Sequence, residues 1–309
     1  MPSPVEPYVA PWWLPGGHLQ TIFAALAPSP QVAFRRERWD TPDGDFIDLD
    51  WAGSEGPLLV LFHGLEGGSS SQYARAIAAH AVACGWRCVV PHFRGCSGTL
   101  NRLPRAYHSG DSAEIGWILE RLEAAHAAGV SLGGNALLKY LGESGPRTPV
   151  RRVVAISVPF DLAAAGRVLD RGLNRRLYTR LFLATLKAKA FAKVTLGQIA
   201  IDERKLARAR TFREFDDMVT APLHGFAGVD DYWTRASSGP WLKSIAVPAL
   251  LVSARNDPFL PAATLDELQS RRDIPAHVTL EFLPAGGHAG FPGRDSWLAR
   301  RVLEFLRAA

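Results

Sequence analysis

Cysteine is scarce in this chain of 309 residues, which holds only Cys84, Cys88 and Cys96. Three thiols cannot staple a fold of this length, and their spacing matches no four-ligand zinc pattern, so they are expected to be reduced and packed. Long apolar runs are missing too, and none reaches the roughly 18 residues that suggest a membrane span. The N-terminal stretch MPSPVEPYVAPWWLPGG is studded with Pro and lacks the basic start and apolar core of a secretory leader, so a cytoplasmic protein is expected. Internal repeats are absent, as are low-complexity tracts beyond a general richness in Ala. No paired zinc site or aromatic RNP sequence accompanies the net charge of +5, which argues against nucleic acid as a partner.

What is present has the balance of an ordinary globular protein, 47% hydrophobic and 21% charged. That composition excludes a disordered chain or a coiled coil. A chain of this mass can bury roughly three quarters of its unfolded surface, enough for one large domain over 1–309. The charge is uneven: residues 151 to 213 hold 15 Lys/Arg against 4 Asp/Glu, and the remainder is net acidic.

A Pro42-Asp43-Gly44 turn precedes alternating Phe46, Asp48, Asp50 and Ile47, Leu49, Trp51, a hairpin signal leading into a half-buried strand. Pro57 to Phe62, closed by His63-Gly64, is a short apolar run that fits a strand buried on both faces. Helical patterns over Ser69–Ala83, from Asp111, after Ser131 and at the C-terminus alternate with strands at Trp86–Pro91, Val153–Val158, Ala249–Val252 and Val278–Phe282. Strand-helix alternation predicts a mostly parallel central sheet with helices on both faces. The basic segment interrupts the rhythm with Leu173, Leu177 and Leu181 at helical spacing, and is expected to be a helical cap inserted over 162–235. A basic amphipathic helix of this kind can lie on an anionic membrane, but a solvated cap face is the preferred reading.

Gly129-Val130-Ser131-Leu132-Gly133 is a G-x-S-x-G pattern, in which the serine sits on a sharp turn between strand and helix and its hydroxyl is exposed. The N–H of Leu132, at the start of that helix, is a candidate oxyanion donor. His63-Gly64-Leu65-Glu66-Gly67-Gly68 follows a buried strand where a second donor is expected, and the N–H of Leu65 is the candidate. His63 is read as a brace of that loop rather than a base. Asp257, after the strand at Ala249, and His288, after the strand at Val278, complete the chain order Ser, Asp, His, with Asp161 as reserve acid.

With Pro11-Trp12-Trp13-Leu14, Gly17-His18-Leu19-Gln20-Thr21, Phe93-Arg94-Gly95-Cys96-Ser97-Gly98, Phe215-Asp216-Asp217 and Asn256-Asp257-Pro258-Phe259, these motifs make the chain resemble the YheT-like branch of the α/β-hydrolases (the AB hydrolase 4 family) over nearly its whole length. The resemblance implies an α/β-hydrolase fold and a serine hydrolase that cleaves carboxylic esters, or transfers their acyl groups, through an acyl-enzyme. Short or medium-chain acyl esters or lipid esters would be its substrates. It implies Ser131 as nucleophile, Asp257 as orienting acid and His288 as base, and needs no metal or organic cofactor. A serine peptidase on the same scaffold is a further alternative.

One stretch conflicts with that expectation. The helix carrying Ile115, Ile118, Leu119 and Leu122 should persist to Leu122, leaving Glu123 to Gly129 for a loop and a strand that together need roughly 7 to 11 residues. This stretch is Ala-rich and has no β-branched or aromatic residue. The strand before the serine is therefore expected to be lost, unless the helix ends early, and its loss would favour a catalytically impaired or non-catalytic protein.

Overall fold

The computed structural model describes residues 6–293 and 296–308. Eight strands form one sheet: β1 (Arg35–Asp40), β2 (Phe46–Ala52), β3 (Leu58–Phe62), β4 (Arg87–Pro91), β5 (His126–Val130), β6 (Arg152–Ile156), β7 (Ala249–Ala254) and β8 (Val278–Leu283). Their order is β1-β2-β4-β3-β5-β6-β7-β8. β1 and β2 pair antiparallel with each other, as do β2 and β4, and every other pairing is parallel. The longer helices are α1 (Gly17–Leu26), α2 (Gln72–Ala83), α3 (Ser112–Arg121), α4 (Leu132–Ser144), α5 (Leu162–Leu169), α6 (Arg180–Thr195), α7 (Val229–Ala236), α8 (Ala262–Ser270) and α9 (Trp297–Arg307).

From β3 the chain runs to β4 on one side of it and then returns to β5 on the other. Loops leaving the carboxyl ends of β3 and β5 therefore diverge, and the crevice between them is where open α/β sheets bind ligands. The His63 loop leaves one of these ends and Ser131 the other. One core, with Ile115, Leu119, Leu137 and Leu141, covers one face of the sheet; another, with Ile77, Ala81, Val302 and Leu306, covers the other. The helices between β6 and β7 pack around a separate cluster that includes Leu183, Leu206, Phe212, Phe215 and Trp233.

The strand before the serine, expected to be lost, is present. α3 stops at Arg121, and the chain reverses through Glu123 at φ 47°. The Glu123 N–H then bonds to Glu120 O (3.0 Å) and the Ala124 N–H to Leu119 O (3.0 Å). This is the Schellman ending that usually takes glycine, here carrying a glutamate. The reversal is so tight that His126–Val130 still pairs with β3 on one edge and β6 on the other. Ala127 and Ala128, each fully buried, point into opposite cores. Small side chains suit the strand because α4 passes directly over it, so the premise of an impaired protein falls away.

β2 also differs from its alternation. Asp48 and Asp50 are buried, not solvent-facing. Arg38 and Arg36 of β1 each reach them with two hydrogen bonds. Burial would raise the carboxyl pKa values, but these guanidinium bonds, with Ser97 on Asp48 and His92 and Ser69 on Asp50, hold both below the usual carboxylate range.

Candidate active site

β5 ends at Val130 and α4 begins at Leu132, leaving Ser131 alone on the turn at φ 52°, ψ −117°. L-residues avoid this region, and the surroundings must hold it in place. The Ser131 N–H donates to Ile156 O (2.8 Å) and the Ser131 carbonyl accepts from Asn135 N (2.9 Å). Gly129 is required beneath the turn, since a Cβ there would lie 2.7 Å from Gly133 O and Gly134 Cα. As the first residue of α4, Leu132 has no preceding carbonyl to bond, and its N–H stands at the positive helix end.

The loop after β3 presents the second amide. Gly64 N–H donates to the Tyr73 hydroxyl (2.8 Å) and Glu66 N–H to the Tyr107 hydroxyl (2.9 Å). Between these two pinned amides, the Leu65 N–H has no acceptor among the described residues. Tyr107 in turn donates to Glu66 Oε1 (2.7 Å), which also receives Lys189 Nζ from α6 (2.7 Å). His63 is a brace, as expected. Its Nε2 accepts from Phe93 N–H (3.0 Å), so Nδ1 carries the proton and donates to Gly64 O (2.7 Å). Complete burial lowers its pKa to about 3 and keeps the ring neutral.

Asp257 is buried on the turn after β7, its Oδ1 accepting from Phe259 N–H (2.8 Å) and its Oδ2 hydrogen-bonded to His288 Nδ1 (2.8 Å). The Phe259 ring lies against the imidazole, with centroids 4.1 Å apart. Asp161 instead caps α5, accepting from Ala164 N–H (2.9 Å). Ser131, Leu65 and His288 line a common cavity.

The backbone carrying His288 is held by side chains from three other parts of the chain. Gly286 N–H donates to Gln20 Oε1 (2.8 Å), Gly287 N–H to Asn256 Oδ1 (3.1 Å), His288 N–H to Thr21 Oγ1 (2.9 Å) and Ala289 N–H to Ser157 Oγ (2.9 Å). Gln20 also accepts from Asn256 Nδ2 (2.9 Å), so α1 ties the aspartate loop to the histidine loop. Gly17 allows α1 this approach, because a Cβ there would lie 1.7 Å from Asn256 O. Gln20, Thr21 and Asn256 stood out in the sequence only as family motifs, and Ser157, Tyr73 and Tyr107 carried no signal of this role.

Two cavities meet at Ser131 and His288. The larger, about 710 Å³, runs between α1 and the helical insertion, past Phe23, Leu26, Leu177 and Phe182. The smaller, about 110 Å³, enters the insertion toward Asp216, Tyr232 and Trp233. Asp216 accepts from Thr220 Oγ1 (2.7 Å) and Trp233 Nε1 (2.8 Å), and burial raises its pKa to about 6. Among the described residues, no group of three or more His, Cys, Asp or Glu side chains is arranged to hold a metal ion.

The family model for the alpha/beta hydrolase fold matches residues 57–295. A putative esterase, YheT of Escherichia coli, is 39% identical, the alignment covering 94% of this chain and 89% of that protein. The human Phospholipase ABHD3 is 29% identical over 99% of this chain and 80% of its own. Among solved structures, the esterase EaEST of Exiguobacterium antarcticum superposes with a TM-score of 0.58 at 16% identity, covering 88% of this chain and 99% of that one, a likeness of fold. The chain is a member of the α/β-hydrolase fold family and, within it, of the YheT-like branch.

Proposed function

We propose that the protein is a serine hydrolase that cleaves carboxylic esters through a covalent acyl-serine, with Ser131 as nucleophile, His288 as base and Asp257 as orienting acid. The observation that carries this reading is the Asp257–His288 hydrogen bond at a cavity into which the strained Ser131 turn also opens. Its relatives, a putative esterase and a phospholipase, support the same class of substrate.

With Asp257 accepting from Nδ1, the neutral imidazole keeps Nε2 free to take the Ser131 proton as Oγ attacks the ester carbonyl. The N–H groups of Leu65 and Leu132 then receive the negative charge that develops on the carbonyl oxygen. His288 returns its proton to the leaving alcohol, and water, or a second alcohol in the transfer variant, releases the acyl group from Ser131. Both donors belong to rigid backbone, so little reorganisation is needed when the charge forms. The helices between β6 and β7 serve as the cap, and the apolar character of the larger cavity suits an acyl chain. The free thiols, Cys88 fully buried among them, suit a reducing compartment such as the cytoplasm.

The test is fluorophosphonate labelling together with hydrolysis of a short-chain ester. Wild-type protein should label rapidly and Ser131→Ala not at all, with kcat falling by about 10⁶. Equal labelling of folded Ser131→Ala would refute the assignment.

A further inference from the structure

Helix α1 is built inside out. Gln20 and Thr21 are buried against the Asp257 and His288 loops, whereas Leu19, Phe23 and Leu26, spaced to share one helical stripe, face outward. Leu26 is 77% exposed, and the preceding segment adds Trp12 at 91%. Trp13, also exposed, packs edge-on against Phe23 with centroids 5.1 Å apart. Opposite them in the helical insertion stand Leu181, 62% exposed, and Leu173. The His18 ring stacks on Tyr178 and is hydrogen-bonded to its hydroxyl (3.2 Å), joining the two halves of this surface. The larger cavity opens between them, with Phe23 and Leu26 on one wall and Leu177 and Leu181 on the other.

The two segments that form this surface carry charges of one sign. Residues 7–34 contain no Asp, Glu, Lys or Arg, and residues 171–201 contain seven Lys or Arg and no Asp or Glu. Arg176 and Arg180 are exposed and have no acidic partner among the described residues. A second copy of the chain meeting this face with its own identical face, as a two-fold interface demands, would bring two basic patches together with no carboxylate from these segments to pair them. An anionic lipid surface satisfies both features, accepting the aromatic and aliphatic side chains at the headgroup boundary and the guanidinium groups at its phosphates.

We propose that this face docks on an anionic lipid bilayer. Trp12, Trp13, Leu19 and Leu26 enter from the N-terminal segment and Leu173 and Leu181 from the insertion, with Arg176 and Arg180 on the phosphates. Docking there sets the mouth of the larger cavity on the bilayer, so an acyl chain reaches Ser131 without crossing water. That consequence rests on the ester-hydrolase reading; the docking itself does not.

Flotation of the Ser131→Ala protein with phosphatidylcholine vesicles, with and without phosphatidylglycerol, tests binding independently of turnover. The expected result is binding that requires phosphatidylglycerol, weakened about tenfold or more in Trp12→Ser/Leu19→Ser/Leu173→Ser. In Arg176→Gln/Arg180→Gln the preference for the anionic lipid should shrink. With Ser131 restored, the triple variant should hydrolyse a water-soluble short-chain ester at the wild-type rate and lose most activity on a long-chain ester held in vesicles. Absence of binding by folded protein, or equal binding by the triple variant, overturns the proposal. So does a concentration-dependent dimer, abolished by the triple variant, in protein that does not bind vesicles. Binding without ester hydrolysis by the Ser131-containing protein supports the docking and counts against the hydrolase reading alone.

Discussion

Replacing Gln20 should damage catalysis from outside the reacting groups. Its side chain is 2% exposed and makes three hydrogen bonds: Nε2 donates to Leu14 O (2.9 Å), and Oε1 accepts from Asn256 Nδ2 (2.9 Å) and Gly286 N–H (2.8 Å). Alanine leaves all three partners unmatched in the interior, where each costs about 1 to 3 kcal/mol. Taking the lower figure, because water can refill part of the space, the loss is about 3 kcal/mol. Against a total of about 5 to 15 kcal/mol the protein still folds, with Tm lower by about 5 °C. The catalytic loss arises because Asn256 adjoins Asp257 and Gly286 lies two residues before His288. A displacement of that pair on the order of 1 Å would lower kcat by about 10² while leaving KM largely unchanged. Gln20→Met fills the space without the hydrogen bonds and separates the lost volume from the lost bonds: it should be as slow as Gln20→Ala. Steady-state kinetics on a soluble ester, corrected for the folded fraction, is the assay. A Gln20→Met enzyme with wild-type kcat would refute the positioning role.

Asp257→Asn should reduce kcat by about 10⁴ with the fold intact, measured by ester kinetics beside a thermal melt, since the amide cannot accept the imidazole N–H through its nitrogen. Asp216, with its pKa raised to about 6, folds preferentially in the protonated form. Its favourable contribution is complete below the unfolded value of about 4 and is lost as pH rises through 6, so Asp216→Asn should gain about 2 kcal/mol relative to wild type between pH 4.5 and 7.5 in urea unfolding. Lys189→Met strips the largely buried Glu66 of its ammonium partner and should cost about 1 to 3 kcal/mol. Adding Glu66→Gln should recover part of that loss in a double-mutant cycle, and strictly additive losses would contradict the coupling. Gly129→Ala should yield little folded protein in a solubility and circular-dichroism comparison, because the added Cβ meets backbone atoms of α4 that cannot move aside.

Legibility followed how local each signal is. Apolar runs such as Leu58–Phe62 and Ala249–Val252 announce buried strands because both faces of a central parallel strand are covered. The Ser131, Asp257 and His288 motifs were readable because each follows a strand end. β5 was not, for two reasons. Its residues are chosen to fit beneath α4 rather than for strand propensity, and the helix before it is ended by a glutamate in the conformation where glycine would have marked the stop. Asp48 and Asp50 misled in the other direction. Alternation placed them in solvent, but their arginine partners lie on the preceding strand, where a one-strand pattern cannot register them.

The N-terminal helix shows why the bracing of the site escaped a periodicity argument. A stripe of Leu19, Phe23 and Leu26 would ordinarily be assigned to the core and Gln20 and Thr21 to water, and the structure reverses both. The loop bearing His288 has no regular partner for its amides, and buried N–H groups must be satisfied. Side chains able to accept them have to come from elsewhere, and α1 can supply Gln20 and Thr21 only by turning its polar face inward. The apolar stripe is then forced outward at the mouth of the larger cavity. One geometric requirement, four consecutive amides each held by a separate side chain, thus accounts both for a well-fixed histidine and for an exposed apolar face beside it.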